Sequence, residues 1–191
     1  MSLPPHLQEL SARVSNWGRW GADDRRGTLN LIDNAAVRRG LAAARQGRTF
    51  LLSLPYDENG IQNGEVPGRD NPRRAMHMIN VPYTGDPTNF CTSDDSVTMG
   101  VQSSTHWDTL AHVGYEGLLY NGVSDSTIDE NGSNQYGVET FGPIVSRGVL
   151  LDVARVHGVD FLPGGYPITG DDLEAACALG GITMAPGDIA C

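Results

Sequence analysis

A chain of 191 residues is long enough for one domain with a hydrophobic core and short for two. Hydrophobic residues at 39% and charged residues at 19% fit a globular protein, and 24 glycines with 11 prolines imply many turns, so a loop-rich α/β or α+β enzyme is expected. A formal charge of -10 argues against a nucleic-acid binder, which needs a basic face to displace counterions from phosphates.

No apolar run approaches the roughly 20 residues of a membrane span. The start, MSLPPHLQELSARVSNW, lacks the basic and apolar regions of a signal peptide. No membrane partner and a cytoplasmic location are therefore expected. Cys91, Cys177 and Cys191 form no Cys-x-x-Cys pair and read as reduced, mostly buried thiols.

In chain order, NWGRWGADDRRGTLNLI (16–32) has neither helical nor strand period and reads as an ordered loop hugging the surface. The acidic pairs Asp23-Asp24 and Asp94-Asp95 read as solvated turns. DNAAVRRGLAAARQG then predicts a helix of about three turns, with Asp33 or Asn34 as cap, Ala36, Val37, Leu41 and Ala44 on the apolar face, and Gly47 past its end. TFLLSLP (49–55) predicts a short buried strand closed by proline. From Tyr56 to Pro87 turn formers dominate, with only HMINV (77–81) able to form a strand, so a functional loop or lid is expected.

DSVTMGVQSSTHWD predicts a strand by its alternation, and LLYNG a turn. Gly148–Val153 predicts the clearest core strand. In ITGDDLEAACALGG, Thr169 and Asp172 form a capping-box pattern ahead of Leu173, Ala176 and Cys177 on one face, with a Gly-Gly stop. PGD then marks a turn, and IAC opens another buried strand, so the chain is expected to be a single domain over residues 1–191 that is incomplete at its C-terminus.

The densest chemistry lies in QSSTHWDTLAH (102–112). In a strand, Gln102, Ser104, His106 and Asp108 would share one face. A bound divalent ion, coordinated by imidazole and carboxylate, would satisfy such a polar face. A helical turn after Asp108 would return His112 to the same side. The bland alternative is an exposed polar strand edge with His112 bonded to a backbone carbonyl.

The string Gln102-Ser103-Ser104-Thr105-His106-Trp107-Asp108-Thr109-Leu110-Ala111-His112 aligns without a gap to His-x-Gly-Thr-His-x-Asp-x-Pro-x-His. That pattern is the hallmark of the metal-dependent cyclase family, which includes bacterial kynurenine formamidases and isatin hydrolases. NWGRWGADDRRGTLNLI, YEGLLYNG, GVLLDVARVHG and ITGDDLEAA with the later PGD resemble its longer branch, so the resemblance covers nearly the whole chain.

The resemblance implies an α/β fold of the swivelling β/β/α type, a mixed sheet with flanking helices, and assembly into homodimers or larger homo-oligomers. It implies that His106 and Asp108 are ligands of a divalent metal, Zn2+ or Mn2+, and that His112 transfers the proton. Gln102 stands where the family has its first metal histidine, and its amide oxygen binds a borderline ion more weakly than imidazole does. Ser104 and Leu110 replace the family's glycine and proline. Further family ligands, typically a histidine and a glutamate, come from beyond Cys191, and His157 reads as a loop residue rather than their substitute.

The activity so implied is hydrolysis of a carbon-nitrogen bond in a small aromatic or cyclic amide, as in arylformamidases of tryptophan catabolism to kynurenine. A bound cation would acidify its water and polarise the carbonyl. A histidine, whose ordinary pKa lies near neutrality, suits the proton transfer. Thr105 reads as fixing the strand by a hydroxyl bond. Trp17, Trp20, His77 and Tyr115 are candidates to bind the small-molecule substrate, against plain packing or an ordinary loop position. Two other functions remain: a cyclase or dehydratase on a small carbonyl compound, and a metal-free, non-catalytic binding protein, to which Gln102 points.

Overall fold

The computed structural model describes residues 4–191. Its regular elements in chain order are α1 (Pro5–Val14), α2 (Asn34–Ala43), β1 (Arg73–Pro82), β2 (Cys91–Thr98), β3 (Ile128–Asp129), β4 (Gly132–Ser133), β5 (Gly148–Val149), α3 (Val153–Val156), α4 (Gly170–Gly180) and β6 (Ile189–Ala190). They fall into two compact units: residues up to Arg48 together with Asp108–Cys191, and Thr49–Trp107. The fold is mixed α/β with small sheets. β1 pairs with β2 and β3 with β4 antiparallel, while β5 and β6 pair in parallel. No helix among the described residues is long and apolar enough to cross a membrane.

The larger unit holds the buried apolar side chains Ala36, Leu119, Tyr136, Phe141, Val149, Val153 and Ala176. Proline opens α1, where its missing N–H is no loss. Asp33 caps α2 by accepting from Ala36 N at 2.8 Å, as its position predicts. Only the first turn of α2 is deeply buried: Ala36 is inside, while Leu41 is two-thirds exposed. Gly40 lets this helix approach the chain at Ser146, because a Cβ there would lie 2.5 Å from the Ser146 carbonyl carbon. The Thr169 and Asp172 capping box starts α4 and Gly181, left-handed, ends it. That helix buries Asp172 and Ala176, leaving Leu173 exposed where the apolar spacing had placed it inside.

Asp188, in the predicted PGD turn, organises the end of this unit. Its side chain has no exposed surface and is paired with Arg147, with Arg39 at 3.9 Å. It also accepts from Ala185 N at 2.7 Å. Hydrogen bonding from Arg147 outweighs burial and holds the Asp188 carboxyl below its usual range. Arg39 reaches the Pro186 carbonyl, and Ser146 Oγ donates to the Gly187 carbonyl, so α2, β5 and β6 are tied at one turn.

In the smaller unit, β1 and β2 run from Arg73 opposite Thr98 to Pro82 opposite Cys91, with register shifts on either side of Met78. Tyr83 and Phe90 close the hairpin by a backbone bond of 2.9 Å and an edge-on ring contact at 5.7 Å. Asn71 clamps the loop before it, accepting from Gln62 N and donating to Gln62 O.

Three predicted strands differ from the structure. TFLLSLP forms no strand: Leu51 and Leu52 are more than four-fifths exposed, and Thr105 Oγ1 and Ser104 Oγ engage the Leu54 backbone where a neighbouring strand would. Beyond Thr98, Gly100 N donates to Asp70 O and the chain turns through a 3₁₀ segment, Val101–Ser103, so residues 102–108 present no shared strand face. Gly148–Val153 pairs as a strand only over Gly148–Val149, although Leu151 N still donates to Cys191 O at 2.8 Å, and Asp152 then turns the chain into α3 by accepting from Arg155 N. The three thiols are free, but Cys191 is exposed and the other two only half-buried.

Replacing Asp188 with Ala is expected to lower stability by about 3 kcal/mol, because Arg147 and Ala185 N lose their buried acceptor. Urea denaturation measures it; a loss no larger than that of an exposed ion pair would deny the turn this role.

Candidate functional site

The motif residues are set by short side-chain-to-backbone bonds. Ser103 and Ser104 are buried, and Ser104 Oγ donates to Leu54 O at 2.8 Å. Thr105 Oγ1 accepts from Leu54 N at 2.9 Å, so its hydroxyl holds two irregular segments together rather than the expected strand. His106, in the smaller unit, has Nδ1 2.7 Å from Ser104 O. A carbonyl can only accept, so Nδ1 carries the proton and the lone pair of the neutral ring lies on Nε2. Gln102 is half-buried, and its backbone carbonyl accepts from Gln62 Nε2 at 2.6 Å.

Asp108 opens the next stretch of the larger unit. Its Oδ1 lies 2.6 Å from His112 Nδ1, with both side chains somewhat under half exposed. The turn bringing them together is held by His112 N donating to Thr109 O and Ala111 N to Thr109 Oγ1. The carboxylate fixes the Nδ1–H tautomer of His112, as the carbonyl does for His106. This is a histidine oriented by a carboxylate, an arrangement that can take a proton at Nε2 and return it.

Each histidine therefore has the tautomer of a metal-ligating or proton-transferring imidazole, whose second nitrogen donates to an oxygen. The donor chemistry of His106 and that of Asp108 would each suit a borderline divalent cation. Among the described residues no three His, Cys, Asp or Glu side chains group closely enough to hold an ion.

The substrate candidates divide. Trp17 and Tyr115, far apart in sequence, line one cavity of about 430 Å³ in the larger unit. Trp20 does not line it and carries the Arg19 guanidinium over its ring at 4.8 Å. His77 is exposed on β1, in the smaller unit, at the first register shift of the hairpin.

One residue that holds the loop after α1 did not stand out in the sequence. Asp24, expected in a solvated turn, accepts from Gly27 N at 2.9 Å, Asn30 Nδ2 at 2.6 Å and Tyr120 OH at 2.9 Å. Burial raises its pKa, but those bonds and one from the Arg26 backbone outweigh it, so the carboxyl lies below its usual range. Burial and the Asp24 bond push the Tyr120 phenol up to about 12, keeping it a donor. Asn121 completes the knot, accepting from Gly18 N at 2.6 Å and donating to Gly21 O and Ala22 O. The only sequence signal was the company it keeps, a carboxylate ahead of Gly27 and Asn30 in a loop without period.

His157, expected in a loop, follows α3, with Nε2 2.8 Å from Asp172 Oδ1 and 2.9 Å from Tyr166 OH. The Thr169 backbone N–H, then His157 and the Thr169 hydroxyl, hold the Asp172 carboxyl down at about 2. This group joins α3 to α4 and adds no donor to the motif.

This fold of small sheets and helices, with its carboxylate-oriented histidine, has known relatives. The family described as "Putative cyclase" matches residues 18–191. A crystal structure of a novel cyclase is similar over 92% of this chain, with 37% sequence identity and a TM-score of 0.82. The chain belongs to the cyclase family, and its α/β fold is the cyclase fold. It spans 60% of the length of that solved chain. No curated protein matches it.

Asp24→Asn is expected to lower stability at pH 7 by about 1–2 kcal/mol. A carboxyl whose folded pKa is depressed stabilises above its unfolded value near 3.9 and loses that contribution as pH falls through the folded one. The gap between variant and native chain in urea midpoint should therefore shrink below about pH 4; a gap that persists unchanged at low pH would rule out the charge as its source.

Proposed function

We propose that the chain hydrolyses a carbon-nitrogen bond in a small aromatic or cyclic amide, with His112 moving the proton. The observation that carries this reading is the 2.6 Å bond between Asp108 Oδ1 and His112 Nδ1, within a string that aligns ungapped to the family pattern. With Nδ1 protonated and held, Nε2 takes a proton from water as its oxygen attacks the amide carbon. As the carbon-nitrogen bond breaks, the same nitrogen returns that proton to the leaving amine, so the histidine ends as it began. Asp108 stabilises the imidazolium formed between the two transfers by its charge at hydrogen-bond distance.

His106 and Asp108 are the donors this reading assigns to a divalent cation, Zn2+ or Mn2+, with the Gln102 amide oxygen as a weaker third. Such an ion, when bound, polarises the amide carbonyl and acidifies water. The tautomer imposed on His106 by Ser104 O supports that assignment. The protein is expected to assemble as a homodimer or larger homo-oligomer.

A second reading has a specific observation behind it: the matching family and the similar solved structure are both cyclases by name. In that case the same histidine would move a proton while water is lost or an internal nucleophile closes a ring. Mass analysis of the product separates the two, because hydrolysis adds one water and cyclisation or dehydration does not.

The test is turnover of N-formylkynurenine, formanilide and isatin by the chain supplied with Zn2+ or Mn2+. His112→Gln is expected to lower kcat by 10²-fold to 10⁴-fold with the fold intact, roughly the contribution of general acid-base catalysis. Turnover unchanged in that variant would remove His112 from the reaction.

A further inference from the structure

We infer that the cavity lined by Trp17 and Tyr115 is a subsite for a neutral, planar aromatic ring. The identity of the ligand as an aryl amide rests on the hydrolase reading above. The volume of about 430 Å³ suits a small molecule. Trp17 and Tyr115 are 41% and 42% exposed and Val14 is 69% exposed, so three apolar side chains that would gain by being covered face one concavity. None of the lining residues is charged, so the site offers ring faces and, from Asn16 and Ser15, neutral hydrogen-bonding groups. That chemistry recognises a flat uncharged ring with a polar substituent and gives nothing to an ionic or phosphorylated ligand.

Both aromatic residues sit on backbone that is already held. Trp17 N donates to Ser15 Oγ at 3.4 Å, and the next residue, Gly18, donates to Asn121 Oδ1. Trp17 Cζ3 is 3.9 Å from where a Cβ would stand at Gly122, so the indole also has a neighbour on the Asn121 turn. Tyr115 exchanges backbone bonds with Leu118, at 3.0 and 3.1 Å, across a tight turn in which Glu116 and Gly117 both have positive φ. Backbone held in this way before binding loses little freedom when a ligand arrives.

Connectivity gives the cavity its relation to the chemistry. Tyr115 follows His112 by three residues, a path of at most about 11 Å of backbone. Tyr115, which lines the cavity, and His112, held by Asp108, thus lie on one short stretch of the larger unit. Trp20, the other tryptophan of the same loop, lies outside the cavity and has Arg19 over its ring, which leaves Trp17 as the specificity-determining indole.

The experiment compares formanilide with N-formylcyclohexylamine, a ligand of similar size whose ring is not flat. Binding to the full chain is measured by titration calorimetry, and turnover is measured separately. The native chain should bind formanilide about tenfold more tightly, the scale of a good aromatic contact. Trp17→Ala and Tyr115→Ala should each bring that preference to within about twofold, while Trp17→Phe should keep most of it. Circular dichroism checks folding, and Phe161→Ala, which changes an exposed ring elsewhere, should leave the preference intact. Selective binding that depends on Trp17 and Tyr115 without turnover would uphold the subsite and sink the hydrolase reading. Turnover with a preference untouched by either alanine variant would do the reverse. A native chain that binds both amides equally, or neither, overturns the subsite.

Discussion

The larger unit depends on a carboxylate that is not itself at the chemistry. Asp24 takes hydrogen bonds from the Gly27 backbone, the Asn30 amide and the Tyr120 phenol, and so fastens the glycine-rich loop after α1 to a turn nearly a hundred residues later. Tyr136 extends the attachment, its buried ring beside Tyr120 and its hydroxyl bonded to the Tyr120 carbonyl. Asn121 ties the same turn to the backbone at Gly18, Gly21 and Ala22. The segment carrying Asp108, His112 and Tyr115 leads directly into this anchor. Gly27 faces Leu110 and Tyr120 at ordinary contact distance for an added Cβ, so the residue that replaces the family proline has a packing partner.

The smaller unit is held by a different device. It has one hairpin, and the remaining chain is positioned by side chains that take the place of strand partners. Ser104 and Thr105 engage the Leu54 backbone, Asn71 engages Gln62, and Gln62 reaches the Gln102 carbonyl. Such bonds let the chain run irregularly without leaving its backbone groups unsatisfied. They also explain why Ser104 is compatible with this position: its hydroxyl, buried, has an acceptor that a glycine could not use.

Local chemistry was legible in the sequence and pairing was not. Asp33 and the Thr169–Asp172 box announced their helices because a cap acts over three residues. The Asp108–His112 contact was legible for the same reason, as residues four apart on one turn. TFLLSLP read as a buried strand because apolar composition signals burial, but a strand needs a neighbouring strand, and here the Leu54 backbone is engaged by the side chains of Ser104 and Thr105 instead. Asp24 was hidden because its decisive partner, Tyr120, is distant in sequence and no local pattern marks it. Trp17 and Tyr115 were legible as aromatic residues near the chemistry, and only the fold shows that they share a cavity while Trp20 does not.

What this chain supplies to the motif is orientation. At both His106 and His112 the nitrogen nearer the backbone faces an oxygen that can only accept, a carbonyl in one case and a carboxylate in the other. The choice of tautomer is thereby made before any ligand arrives, and the two remaining nitrogens have the same electronic form. The partners differ: on the reading proposed above, the neutral carbonyl would steady an imidazole that keeps its charge constant, whereas the Asp108 carboxylate would also stabilise a ring that gains a proton and gives it back. One carboxylate oxygen is committed to His112, so any cation taken by Asp108 would be met chiefly through the other, and the two roles are compatible only because the group has two oxygens.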